Sequence, residues 1–260
     1  MELDHDLAGE GSAVVFLHAA LGDRRLWDDQ WRWVTTGHRA LRCDLRGFGR
    51  TPMLPEPFSH VRDVVELVGA ADVSQAVVVG GSLGGRVALE LAVARPTLVG
   101  ALVLVSPSLP GHDWSSAVRA FGEAEDDALD RGDIDTAVEL NVRMWFDGHG
   151  RSSTAVDATR RAAVADMQRR AFELQLAAGE DAVEEPLVGD LRTRLAELNA
   201  PTLVVVGEYD VADFHAIGAQ LAAELPNAEY RLFPGAAHVP NYERPEAFNV
   251  LLTDALAQFA

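Results

Sequence analysis

The chain is 260 residues long and carries 22 Lys+Arg against 40 Asp+Glu, a formal charge of −18. With 48% hydrophobic and 24% charged residues, it has a composition that supports one sizeable core and excludes disordered and fibrous classes. The acidic balance argues against nucleic acid and anionic membrane surfaces as partners, because both repel it.

Every one of the 22 basic residues is arginine. The absence of lysine removes Schiff-base catalysis and the P-loop lysine of nucleotide-binding loops. Cys43 is the single cysteine, so an intrachain disulfide and a cysteine-based metal cluster are excluded. The Met-Glu-Leu-Asp-His-Asp start has neither a basic nor an apolar signal region, and no apolar run approaches the roughly 18 residues of a membrane span. The expectation is a soluble cytoplasmic protein.

In chain order, short apolar runs at Ala13–Leu17, Ala40–Cys43, Ala76–Gly80, Ala101–Val105, Thr202–Val206 and Glu229–Phe233 have the length and branching of strands buried on both faces. Between them Val61–Ala71, Gly84–Arg95 and Phe214–Leu225 place apolar residues at helical spacing. The repeated β-α pattern predicts a doubly wound, mostly parallel α/β sheet. The alternation stops between about Leu109 and Leu191, where Ile134–Phe146 and Ala155–Ala178 read as helices. The predicted organisation is a core over residues 1–110, a helical insertion over 111–190, and the rest of the core over 191–260. Two acidic clusters in the insertion, Glu123–Asp135 and Glu180–Asp190, read as solvated helix faces.

The strongest local signal is Gly80-Gly81-Ser82-Leu83-Gly84-Gly85, directly after one strand run and before a helical pattern. A G-x-S-x-G sequence in that setting marks a sharp turn that presents a nucleophilic serine, with tiny residues two positions either side because neighbouring backbone crowds them. A serine hydroxyl needs a base to remove its proton. His238, in the loop after the last strand run, is the candidate. The base needs a carboxylate to fix its tautomer, and Asp210, just past the Gly207 turn, is preferred over its neighbours Glu208 and Asp213. The N–H groups of Leu83 and of Ala20, in the loop after Ala13–Leu17, are the candidate oxyanion donors, with His18 bracing that loop.

The segments His18-Ala19-Ala20-Leu21-Gly22-Asp23 through Trp27, Asp44-Leu45-Arg46-Gly47-Phe48-Gly49, Gly80–Gly85, Gly207–Asp210 and His238-Val239-Pro240 resemble the α/β-hydrolase superfamily, in its cap-bearing serine esterase, lactonase and C–C hydrolase branch. The resemblance covers about residues 10–110 and 195–258 and implies that the insertion is a cap. Two departures accompany it. Ala19 stands where the family usually has glycine, and the leading edge strand is missing or reduced to Glu2–Leu7.

The expected function is hydrolysis of a carboxylic ester or lactone of a small molecule by Ser82, His238 and Asp210, without metal or organic cofactor. C–C bond hydrolysis or acyl transfer with the same residues, and a receptor-like binding protein with little turnover, are the alternatives. Aspartate-nucleophile dehalogenases and epoxide hydrolases of this fold are disfavoured by Ser82. Trp27, Trp31 and Trp33 read as packing residues and Cys43 as a small buried hydrophobe. Asp44, Arg46, Gly47 and Gly49 read as turn formers and Trp145 as a candidate pocket wall; the net charge disfavours an anionic substrate unless cap arginines such as Arg119, Arg143 or Arg151 face the pocket. The sequence leaves the oligomeric state open.

Overall fold

Valine-rich runs in the middle of the chain form strands because their branched side chains pack well on a pleat covered from both sides. The computed structural model describes residues Met1–Phe259. In order these are β1 (His5–Ala8), β2 (Ala13–Leu17), α1 (Asp28–Val34), β3 (Arg39–Cys43), α2 (His60–Ala70), β4 (Ala76–Gly81), α3 (Leu83–Ala94), β5 (Val99–Val105), α4 (Ser116–Asp130), α5 (Ile134–Asn141), α6 (Ala158–Ala178), β6 (Thr202–Gly207), α7 (Ala212–Glu224), β7 (Ala228–Phe233), α8 (Pro240–Glu243) and α9 (Pro245–Phe259).

The seven strands lie in the order β1-β3-β2-β4-β5-β6-β7. Only β1 is antiparallel; it pairs with β3 at one edge, where the sequence suggested a remnant over Glu2–Leu7. One face of the sheet is covered by α2, α3 and α7 through residues such as Val64, Leu89 and Ile217. The other is covered by α1 and α9, with Val34, Phe248 and Leu252.

Register places the site. Leu17 of β2 is opposite Gly80 of β4, Gly81 is opposite Val105 of β5, Val105 is opposite Val205 of β6, and Gly207 is opposite Phe233 of β7. The loops that follow these strands therefore open together at the carboxyl edge, where ligand sites of open α/β sheets lie. Between β5 and β6 the chain forms α4, α5 and α6. The expected single helix Ile134–Phe146 is instead α5 followed by a π-helical turn, Val142–Asp147, a wider winding common near functional sites.

Phe248 is fully buried against Trp27 and Phe233, with ring centroids at 6.2 and 6.0 Å. Truncation to Ala should cost about 3–5 kcal/mol, read as a lowered urea midpoint at unchanged slope. A loss under about 1 kcal/mol would mean that α9 does not anchor this face.

Buried charges on the α2–α3 face are paired. Arg46 holds Asp63 through two 2.9 Å bonds, and Arg86 bridges Glu90 and Glu184 at 2.8 Å each. His60, at the start of α2, has a buried Nδ1 without a hydrogen-bond partner. Burial, reinforced by the nearby Arg86 charge, lowers its pKa from 6.5 to about 3. The folded chain therefore holds His60 neutral while the unfolded chain protonates it. Between those two values the unfolded state binds more protons, so this group makes stability rise with pH, and the benefit fades as acid is added. His60→Leu should shrink the difference in unfolding free energy between pH 7 and pH 5 by about 2 kcal/mol. Urea titrations at the two pH values check this; an unchanged difference would remove His60 from the acid limb.

Candidate active site

Ser82 sits between β4 and α3 with φ +47° and ψ −107°, a conformation that a residue with a side chain rarely adopts. Two glycines make the turn possible. A Cβ on Gly80 would lie 2.3 Å from the Gly84 carbonyl oxygen, and one on Gly84 would lie 2.3 Å from that of Leu17. The turn is held by Ser82 N–H donating to Val105 O at 2.9 Å and by Gly84 N–H donating to His18 O at 3.1 Å. Leu83 opens α3, so its N–H is among the four that no carbonyl within the helix accepts, and the helix dipole adds positive potential there.

Asp210 and His238 meet as the sequence order suggests. His238 Nδ1 donates to Asp210 Oδ2 at 2.9 Å, and both residues are buried, at 4% and 5% exposure. Asp210 Oδ1 accepts from Val211 N–H at 2.9 Å. Both carboxylate oxygens thus have a donor, which fixes the imidazole with Nε2 as its free acceptor. The competitors are engaged elsewhere. Glu208 accepts from Gly235 N–H at 2.8 Å, and Asp213 accepts from Ser115 N–H at 2.7 Å and faces His112. The His238 ring is flanked by Phe214 and Trp145, with centroids at 4.4 and 5.0 Å. Its backbone N–H donates to Trp145 O at 3.2 Å, so the π-helical turn supplies a carbonyl to the loop that carries His238.

That loop is pinned from below. Ala237 N–H donates to Glu243 Oε1 at 2.8 Å, and Glu243 Oε2 accepts from Arg151 at 2.6 Å. Arg151 also reaches the carbonyls of Phe146 and Asp147. Arg151 is therefore a clamp between insertion and core and does not face Ser82, while Arg119 and Arg143 point to solvent. The expected cap cations are thus absent from the cavity wall, because each is either drawn to a carbonyl cluster or left on an outward helix face.

His18 is buried, and burial holds its imidazole below the ordinary pKa. Nδ1 pairs with Ala19 O and Nε2 accepts from Leu45 N–H, both at 2.9 Å. It ties the loop of Ala20 to the loop after β3. Asp44 caps that second loop, accepting from the N–H groups of Arg24 and Arg50. Burial raises the pKa of the Cys43 thiol, which makes it inert. Among the described residues no group of three or more His, Cys, Asp or Glu is placed to hold a metal ion.

Ser82, His238 and Ala20 line one cavity of about 300 Å³, at the small end of the roughly 300–1,000 Å³ range of ligand sites. Among the described residues no hydrogen bond joins Ser82 Oγ to the imidazole; such contacts often close only around substrate. Trp145 is on the wall, together with Phe48, Phe121, Phe172 and Phe214. The wall also carries Glu125, Asn141, Gln168 and Gln175, which the sequence reading missed. Glu123, Asp126 and Asp127 are solvent-exposed, as expected of that acidic cluster, but Glu125 turns inward. The signal was helical spacing: Phe121, Glu125 and Ala128 are at i, i+4 and i+7 on α4, and Val164, Gln168, Ala171 and Gln175 repeat the pattern on α6. Glu184 of the second cluster is likewise half-buried, paired with Arg86.

The family model of the alpha/beta hydrolase fold matches residues 12–245. A 2-hydroxy-6-oxononadienedioate/2-hydroxy-6-oxononatrienedioate hydrolase of Comamonas testosteroni is 28% identical over 262 residues, covering 96% of this chain and 89% of its own. A pimeloyl-[acyl-carrier protein] methyl ester esterase of Nitrosospira multiformis is 29% identical over 253 residues, covering 92% of each chain. Among solved structures, Est816, described as an N-acyl homoserine lactone degrading enzyme, superposes with a TM-score of 0.73 at 26% identity, over 97% of this chain and 96% of its own. With that match spanning most of its length, and with this sheet order, the chain belongs to the α/β-hydrolase family.

Proposed function

We propose that the protein is a serine hydrolase that cleaves a carboxylic ester or lactone of a small molecule through an acyl-enzyme. The observation that carries this reading is the 2.9 Å bond from His238 Nδ1 to Asp210 Oδ2, in a cavity that the strained Ser82 shares. Ser82 Oγ attacks the carbonyl carbon while His238 Nε2 takes its proton, and the carbonyl electron pair moves onto oxygen. The Leu83 and Ala20 N–H groups hold that oxyanion. The pair then returns, the carbon–oxygen bond to the alcohol breaks, and His238 gives its proton to the departing oxygen. Water, losing a proton to the same nitrogen, attacks the acyl carbon; the bond from that carbon to Ser82 Oγ then breaks, His238 gives the proton to Oγ, and the acid leaves. Asp210 keeps the imidazole in the required tautomer and stabilises its cation. No step uses a metal or organic cofactor.

In this reading residues 111–190 act as a cap over a core formed by 1–110 and 191–260. The names of the relatives carry a methyl ester and a lactone, the two bond types proposed. The dioate in the Comamonas relative's name is a dianion, and no arginine on this cavity wall is available to meet one.

Incubation with a fluorophosphonate, followed by intact-mass spectrometry and peptide mapping, should find one adduct, on Ser82. Ser82→Ala should lower kcat for p-nitrophenyl acetate by about 10⁴-fold or more. Asp210→Asn, which permits the wrong tautomer, should lower it by roughly 10³- to 10⁴-fold. A folded protein that takes no adduct, or a Ser82→Ala variant with full turnover, would sink the proposal and favour a binding role.

A further inference from the structure

The cavity that Ser82 shares carries hydrogen-bond acceptors from α4 and α5. Glu125 lines the cavity from α4 and accepts a hydrogen bond from Asn141 Nδ2. The second Nδ2 hydrogen of Asn141 goes to Ala137 O at 2.9 Å. Two acceptors claim both amide hydrogens, so the orientation of that amide is fixed by its partners, and Asn141 has only Oδ1 left to offer. Gln168 comes from α6, is 5% exposed, and has an Oε1 that no group satisfies. It too lines the cavity. An orphaned buried amide oxygen is costly unless something donates to it.

No positive side chain offsets these acceptors. Lysine is absent from the chain, and no arginine lines the cavity. Burial raises the pKa of Glu125, the Asn141 bond opposes this, and the nearby Asp126 charge adds to it; no cation is among the causes. A carboxylate placed here would meet the Glu125 carboxylate and the Asn141 amide oxygen, while Gln168 brings its amide hydrogens as well as its oxygen. A hydroxyl or an ammonium would supply the missing donor.

We propose that Glu125, Asn141 and Gln168 form a specificity subsite that accepts a hydrogen-bond donor on the substrate, a hydroxyl or ammonium group, and rejects a carboxylate. The proposal rests on the ester-hydrolase reading, since it assigns the far end of a substrate whose carbonyl lies at Ser82. It also narrows the substrate class: a small hydroxy- or amino-substituted ester or lactone, with the substituent remote from the reacting carbon.

The test compares four methyl esters with six-carbon acyl chains that differ only at the far end: hexanoate, 6-hydroxyhexanoate, 6-aminohexanoate and the half-ester of adipate. Hydrolysis is followed by proton release at neutral pH, where the amine is protonated and the adipate carboxyl ionised. The hydroxy and amino esters should exceed hexanoate in kcat/KM by roughly ten- to a hundredfold, and the adipate half-ester should fall below hexanoate by a similar factor.

Glu125→Gln should collapse the amino-to-adipate ratio, and Gln168→Leu should lower the hydroxy-to-hexanoate ratio. Each ratio is taken within one variant, so a general loss of activity or of folded fraction does not affect it. Wild-type hydrolysis of hexanoate with no discrimination, or with adipate preferred, overturns the subsite and leaves the ester-hydrolase reading standing, as does a ratio that both variants leave unchanged. If none of the four esters turns over and Ser82 takes no fluorophosphonate, both readings fall together.

Discussion

The site is built around one forced backbone conformation, that of Ser82. A residue with a side chain held at φ +47° and ψ −107° costs of order 1–3 kcal/mol, and it persists only where surrounding structure over-determines it. Here β4 must stop, turn and launch α3 within a few residues. Gly84 passes so close to the Leu17 carbonyl that only a hydrogen fits between them. The cost is offset by the burial of Val87, Leu89 and Leu91 of α3 in the main core and by the hydrogen bonds from Ser82 N–H and Gly84 N–H to β5 and to the His18 loop. The same turn places the first N–H of α3 directly after Ser82. In the proposed reading, nucleophile, oxyanion donor and helix dipole come from a single packing event.

Much of this was legible in the sequence because it depends on local rules. The strand runs and the G-x-S-x-G turn are short-range patterns, and the structure agrees with them to within a residue or two. Asp210 was separable from Glu208 and Asp213 because the Gly207 turn aims it along the carboxyl edge. The cavity wall was harder to read. Whether Glu125 faces solvent or substrate depends on how α4 is rotated against α6, a tertiary choice that a cluster of acidic residues conceals. Its place on the stripe shared with Phe121 and Ala128 was the available clue. The role of Arg151 was not legible in the sequence for a similar reason: whether an arginine of the insertion faces the pocket depends on its tertiary partners, here the carbonyls of Phe146 and Asp147 and the buried Glu243 carboxylate.

Three of the interactions that join the insertion to the core lie in the neighbourhood of the proposed base. Trp145 O accepts from His238 N–H, Arg151 holds the Glu243 that fixes Ala237 N–H, and Asp213, beside Phe214, receives the Ser115 N–H at the start of α4. A π-helical turn explains the first of these. Its wider winding carries the Trp145 carbonyl out to a partner beyond the helix. The loop of His238 is thus held from the insertion side as well as from the sheet.

In the proposed reading, this arrangement links the wall that selects substrate to the residue that acts as base. The segment that supplies Glu125, Asn141 and Gln168 to the far wall also supplies the Trp145 carbonyl and the Arg151 clamp to the base. A ligand group that satisfies the orphaned Gln168 oxygen would stabilise α6 against α4 and α5. Through the π-helical turn that continues α5, the same packing bears on the imidazole. A ligand that repels the wall would push the same helices outward and loosen the contact at His238. Discrimination at the far wall would then register in kcat as well as in KM, because ordering the wall and orienting the base draw on the same contacts.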